Sequence, residues 1–182
     1  MQNEKLKIDE TDVERLHSEH EQLVLEFSCR RRGEDLFLQC DALANQNFRL
    51  SETLLLFEKG RRKIVSYITL SVGSFRLSPN RKISGMKIRN KPYRVYSNNM
   101  PCLFIGKLAT DKEEEGRGGA SMLVSVAIRK ALELNAIIPV PFVSLDAYTE
   151  AVPYYEKLGF RIAFDPKQKD PKTIAMYLRL FE

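Results

Sequence analysis

The apolar positions change period several times along the chain. Over 34–46, Leu36, Phe37, Cys40, Leu43 and Ala44 recur at three- and four-residue steps, which predicts a helix with one buried face. Upstream, DETDVERLHSEH (9–20) offers Asp9 or Thr11 as an N-cap with acids in the first turn, and predicts another helix; Leu23–Phe27 predicts a short strand. From Glu52 the pattern turns to β-branched and aromatic residues. TLLLF (53–57) and IVSYITLSV (64–72) flank Lys59-Gly60-Arg61-Arg62 and predict an antiparallel hairpin. Residues 76–94, broken by Pro79-Asn80 and Ser84-Gly85, predict a loop or an irregular β-ribbon.

The second half alternates strand and helix. CLFIGKLAT (102–110) predicts a strand buried on both faces, and DKEEEGRGGASM leads into a helix ending near Asn135. Its apolar face is Leu123, Val126, Ala127, Ala131 and Leu134. VPFVSLDA (140–147) then completes a right-handed βαβ unit. Pro141 has no amide proton for a ladder, which predicts an edge position or a break in pairing there. TEAVPYYEKLGF predicts a short helix from about Glu150 with Gly159 as its C-cap, and FRIAF and IAMYLRLF predict two closing strands.

Composition narrows the class. At 182 residues the chain fits a single domain, 1–182, with its own core, and 43% hydrophobic with 29% charged residues excludes a disordered or fibrous chain. No apolar run reaches the ~18–20 residues of a membrane span, and MQNEKLKIDETD lacks the apolar region of a secretory leader, so a cytoplasmic protein without membrane contact is expected. Cys29, Cys40 and Cys102 have no metal-site or disulfide spacing. His17 and His20 lack a third ligand of matching spacing and read as solvated helix surface, so no metal is expected.

Charge changes the picture more. Residues 1–58 hold 7 Lys/Arg against 13 Asp/Glu, residues 59–94 hold 11 against none, and residues 95–182 hold 11 of each. All of the excess basicity therefore lies between Lys59 and Arg94. Such a cluster attracts phosphates, and Tyr67, Phe75 and Tyr93 within it could stack bases. The competing accounts are a solvated hairpin, contact with the acidic first 58 residues, and attraction to a cofactor's phosphates.

The candidate chemistry sits in Glu115-Gly116-Arg117-Gly118-Gly119-Ala120, between a buried strand and a helix start. There, glycines permit close approach, and first-turn amides with the helix dipole favour an anion such as a pyrophosphate. It is neither a P-loop nor GxGxxG; the plain alternative is a tight strand-to-helix turn.

The order KLATDKEEEGRGGASML, helix, VSLDA, AVPYYEKLGF resembles the GNAT superfamily of N-acetyltransferases. Gly118 and Ala120 match the last two positions of its Arg/Gln-x-x-Gly-x-Gly/Ala motif, whereas Glu115 stands at the first. Ala151, Tyr154, Tyr155 and Gly159-Phe160 match its A-x-x-F-Y-x-x-x-G-F segment, with Tyr154 replacing Phe. Phe27-Ser-Cys29, Asp35–Leu38, Ala42, Asn45-Gln46, Tyr67–Ser71 and Gly73-Ser74 resemble the branch containing toxins that acetylate aminoacyl-tRNA.

The resemblance implies an α/β (α+β) fold: a mixed, mostly antiparallel central sheet flanked by helices, with a central βαβ unit binding acetyl-CoA. It implies direct acetyl transfer from acetyl-CoA to a primary amine in a ternary complex. Toxin-type acetylation of aminoacyl-tRNA and a catalytically silent CoA-binding module are the alternatives. The cofactor's pyrophosphate would rest on amides of Glu115, Gly116, Arg117, Gly118, Gly119, Ala120 and Ser121, and its pantetheine arm would pair with Leu108, Ala109 and Thr110. Tyr155 would return a proton to the departing thiolate, its phenol being protonated at neutral pH with a reference pKa near ~10. Asp146 is a candidate base, as is bulk water. tRNA at Lys59–Arg94, a small antitoxin protein and a second copy of the chain are the partners such a branch member would meet. Glu115 is the discordant residue, since its carboxylate opposes an anion and Lys112 and Arg117 offset Glu113-Glu114-Glu115 only in part.

Overall fold

A computed structural model describes residues 4–77, 87–88, 91–92, 99–163 and 172–181. A seven-stranded, mostly antiparallel sheet runs in the order β1-β2-β3-β6-β7-β9-β8, with β4 and β5 forming a separate two-stranded ribbon. Its strands are β1 (Thr11–Arg15), β2 (Glu52–Glu58), β3 (Ile64–Arg76), β4 (Lys87–Ile88), β5 (Lys91–Pro92), β6 (Asn99–Thr110), β7 (Phe142–Tyr148), β8 (Arg161–Ile162) and β9 (Thr173–Arg179). The helices are α1 (Glu21–Glu26), α2 (Arg32–Leu36), α3 (Ala42–Asn47), α4 (Gly119–Asn135) and α5 (Val152–Lys157). The α/β architecture expected from the resemblance is present.

By contact density the chain divides into two compact units, 1–71 with 105–127 and 72–104 with 128–182. In the first, Leu16, Val24, Phe27, Leu38, Ala42, Leu55, Phe57, Ile64 and Tyr67 form the core, which α1 to α3 help to enclose. The helix predicted over 34–46 is there, running as α2, a π-type turn at Phe37–Asp41, and α3. The β2–β3 hairpin pairs antiparallel, and Gly60 in its turn has φ +77°. In the second unit Phe75 stacks on Tyr177 at 5.2 Å and meets Phe142 edge-on at 5.3 Å, inside a core with Leu77, Met100, Cys102 and Ala163.

Three expectations are corrected. Residues 11–15 form strand β1, paired antiparallel with β2 from Thr11 opposite Glu58 to Arg15 opposite Leu54, and not a helix. Four of its five side chains are exposed, so acids can line it without burial, and the ladder to β2 outweighs local helix propensity. Leu23–Phe27 lies largely in helix α1, because Val24 and Phe27, three residues apart, both reach the core. Finally, β7 is interior, between β6 and β9; Pro141 precedes the strand and uses only its carbonyl, which accepts from the Leu180 amide at 3.0 Å.

His20 also departs from expectation. Its ring is 6% exposed, 5.7 Å from the Phe57 ring, with Nδ1 accepting from the His17 amide and Nε2 facing Glu14 at 3.2 Å. It fastens the 3-10 turn Ser18–His20 to β1. Among the described residues no group of three His, Cys, Asp or Glu could hold a metal ion, and no helix is long and apolar enough to cross a membrane.

Candidate active site

Strand β6 ends in Leu108, Ala109 and Thr110, all half-buried, and passes at once into the turn 111–118. Thr110 Oγ1 lies 2.9 Å from Ser66 Oγ, and the Asp111 amide donates to the Val65 carbonyl at 2.9 Å, so the strand end is fixed to β3. Asp111 is buried: its carboxylate accepts from the amides of Ser28 and Glu113 and pairs with Lys63 at 3.0 Å. Internal bonds occupy the amides of Asp111, Lys112, Glu113, Glu114 and Arg117. Helix α4 starts there, and the positive end of a 17-residue helix dipole favours an anion.

The glycines divide the work. Gly116 (φ +80°) and Gly118 (φ +94°) occupy the left-handed region on either side of Arg117, where residues with a Cβ are strained. Gly119 opens α4 against the sheet, where a Cβ would come within 2.5 Å of Ser66 Oγ.

The acid run is neutralised residue by residue. Glu113 pairs with Lys63 at 2.6 Å and Glu115 with Arg30 at 2.5 Å. Glu114, 3% exposed, pairs with Arg61 at 3.0 Å and Arg117 at 2.5 Å. Lys112 gives its backbone amide to the Ser28 carbonyl. Arg117 also grips both carboxylate oxygens of Glu58, at 2.6 and 2.9 Å. Hydrogen bonds from Arg117 and Arg61 outweigh desolvation and hold the Glu58 carboxyl down at about 2.

A carboxyl depressed from 4.5 to about 2 contributes stability that is complete above the ordinary value and lost as pH falls from about 4.5 to about 2. With Arg61 half-exposed, the contribution is on the order of 2 kcal/mol. Urea titrations of wild type and Glu58→Gln should therefore differ by that amount at neutral pH and converge towards pH 2.

The basic stretch is partly spoken for. Lys59 reaches the Asp9 carbonyl and Asp12 and Arg61 pairs with Glu58, which is contact with the acidic first 58 residues as weighed from the sequence; Arg61 and Lys63 also serve the acids of 111–114, outside that segment. Tyr67 is fully buried and Phe75 is 7% exposed, so neither can stack a base; their apolar neighbours claim them for the two cores. Tyr93, Arg81, Lys82, Arg89 and Arg94 lie outside the described residues.

In the second unit, Tyr155 sits half-buried on α5, its ring 5.1 Å from Tyr154 and 5.7 Å from Phe160. The helix closes in a Schellman motif: Phe160 donates to the Tyr155 carbonyl, Gly159 donates to that of Glu156, and Gly159 takes φ +89°. The cap thus packs Phe160 on Tyr155 and fixes the tyrosine's ring. Asp146 is exposed on β7, yet the protein around it removes enough water to push its carboxyl above the ordinary value. Burial pushes the Cys29 thiol up to about 12 and raises that of Cys102, so neither is a thiolate nucleophile at neutral pH.

A strand, a glycine turn with internally paired acids and a helix N-terminus beside a central sheet form a site suited to an anion. The acetyltransferase (GNAT) family model matches residues 17–160, and the chain belongs to that family, whose acyl donor is acetyl-CoA. No curated protein matches it in sequence. Solved structures share its fold: AtaTR bound with acetyl-CoA (22% identity, 95% of each chain covered, TM-score 0.71) and AtaT complexed with acetyl-methionyl-tRNAfMet (19%, 93% of this chain and 94% of that one, 0.73). A tyrosine-to-phenylalanine variant of KacT is also similar (18%, 94% and 95%, 0.76).

Proposed function

We propose that this enzyme acts in the cytoplasm, as one catalytic domain, and acetylates the α-amino group of an aminoacyl-tRNA in the manner of the toxin branch, with a small antitoxin protein as its partner. The observation that carries the cofactor half is the turn 111–118. Its acids face their own cations, so the amides of Gly118, Gly119, Ala120 and Ser121 are presented to the pyrophosphate without an opposing carboxylate. Leu108, Ala109 and Thr110 hold the pantetheine arm, and an amide of Leu108 or Ala109 polarises the thioester carbonyl. The neutral amine attacks that carbonyl, and Tyr155 gives its phenolic proton to the leaving thiolate. Asp146, with its raised carboxyl, accepts the proton that the amine sheds.

The acceptor half is supported by the fold shared with AtaT complexed with acetyl-methionyl-tRNAfMet and by the basic segment ending at Arg94. An acceptor screen with labelled acetyl-CoA and mass-spectrometric readout tests it. Charged tRNA should be acetylated and uncharged tRNA should not. Binding should weaken steeply with salt and on neutralising Arg81, Lys82 and Lys87. Acetylation confined to small amines or protein lysines contradicts the tRNA reading; binding without transfer to any acceptor would indicate the silent module.

A further inference from the structure

We infer that Glu58 and Arg117 form a latch that sets the shape of the cofactor's pyrophosphate turn, making Glu58, a hairpin residue, a positioning residue for acetyl-CoA affinity. This rests on the cofactor reading proposed above. The turn needs an external constraint, because Gly116 and Gly118, on both sides of Arg117, leave its backbone with the widest choice of conformation.

Arg117 supplies that constraint. Its side chain is 13% exposed, where an arginine in a surface turn would ordinarily reach solvent. The guanidinium fork spans both oxygens of Glu58, Nη1 also donates to Glu114, and Nε donates to the Glu4 carbonyl at 2.9 Å. The Arg117 carbonyl in turn accepts from the Leu6 amide at 3.0 Å. The residue between the two glycines is thus held from the end of β2, from within the turn, and from the segment before β1.

Arg61 bridges Glu58 and Glu114 from the β2–β3 turn at 2.8 and 3.0 Å, which closes the carboxylate–guanidinium cluster into a ring. Removing one carboxylate from such a cluster leaves its guanidinium partners unmatched, so the ring holds its members in one arrangement. Anion binding by backbone amides depends on that geometry, since each N–H must stay within about 3 Å of a phosphate oxygen and point at it. The latch therefore acts on the nucleotide end of acetyl-CoA and leaves the thioester end alone.

The test compares two probes that differ in that end. Acetyl-CoA carries the pyrophosphate; acetyl-pantetheine carries the same thioester without it. Glu58→Gln, close to isosteric, should weaken acetyl-CoA binding about tenfold or more and leave acetyl-pantetheine binding within about twofold, by calorimetry and NMR titration respectively. Arg117→Lys, which keeps the charge and loses the fork, should weaken acetyl-CoA to a similar degree, and the double variant should lose little more than either single one. Equal losses for both probes would mean general damage to the fold and would overturn the latch. So would unchanged acetyl-CoA affinity in Glu58→Gln. A wild-type protein that binds neither probe would overturn the cofactor reading itself, and the latch with it.

Discussion

Tyr155→Phe is expected to slow acetyl transfer on the order of 10²-fold or more while leaving acetyl-CoA affinity and thermal stability unchanged. The substitution removes one oxygen and keeps the ring that packs on Tyr154 and Phe160. The Schellman cap that ties Phe160 and Gly159 to α5 is formed by backbone groups and survives too. What is lost is a neutral phenol able to protonate the departing thiolate, a general-acid contribution of typically about 10²–10⁴-fold. Single-turnover transfer measured beside calorimetric binding separates the two effects. An unchanged rate would remove Tyr155 from the chemistry, and a parallel fall in affinity would make it a packing residue.

The second large effect is expected at Gly119. A Cβ there would lie 2.5 Å from Ser66 Oγ, 3.1 Å from Val65 Cγ1 and 3.2 Å from Leu56 Cδ2. Ser66 cannot turn aside freely, because its hydroxyl shares a hydrogen bond with Thr110. Gly119→Ala should therefore destabilise by about 2 kcal/mol, and Gly119→Val by more, as α4 is pushed off the sheet. Acetyl-CoA binding should fall in both, since the helix start carries the amides assigned to the pyrophosphate. Urea denaturation with calorimetry checks this, and wild-type stability in Gly119→Ala would contradict it.

The parts of the fold that could be read in advance are those that burial marks in the pattern. Consecutive buried positions mark β2 and β3 and three- and four-residue apolar steps mark α4; these and β6 lie where the pattern puts them. Strand β1 could not be read this way. With Asp12, Val13, Glu14 and Arg15 all exposed it has no apolar alternation, and only its ladder to β2 makes it a strand. Pro141 misled for a related reason: one residue separates a strand position from a position just before it.

At the site, the glycines and the family segments were legible, but the role of Gly119 in packing helix on sheet needed the positions of Ser66, Val65 and Leu56. The pairing of the acid run was hidden as well. Lys63 and Glu113 are 50 residues apart, and Arg117 and Glu58 are 59 apart. Charge balance between Lys59–Lys63 and 111–115 hints at such pairing without saying which groups meet. Glu115, whose carboxylate by itself opposes an anion, is paired with Arg30.

A turn containing Asp111, Glu113, Glu114 and Glu115 is expected to receive a pyrophosphate. Isothermal titration of the wild-type protein with acetyl-CoA tests this most directly. Binding at one site per chain with a dissociation constant of about 1–100 μM is the predicted result; no heat of binding at hundreds of micromolar would contradict it.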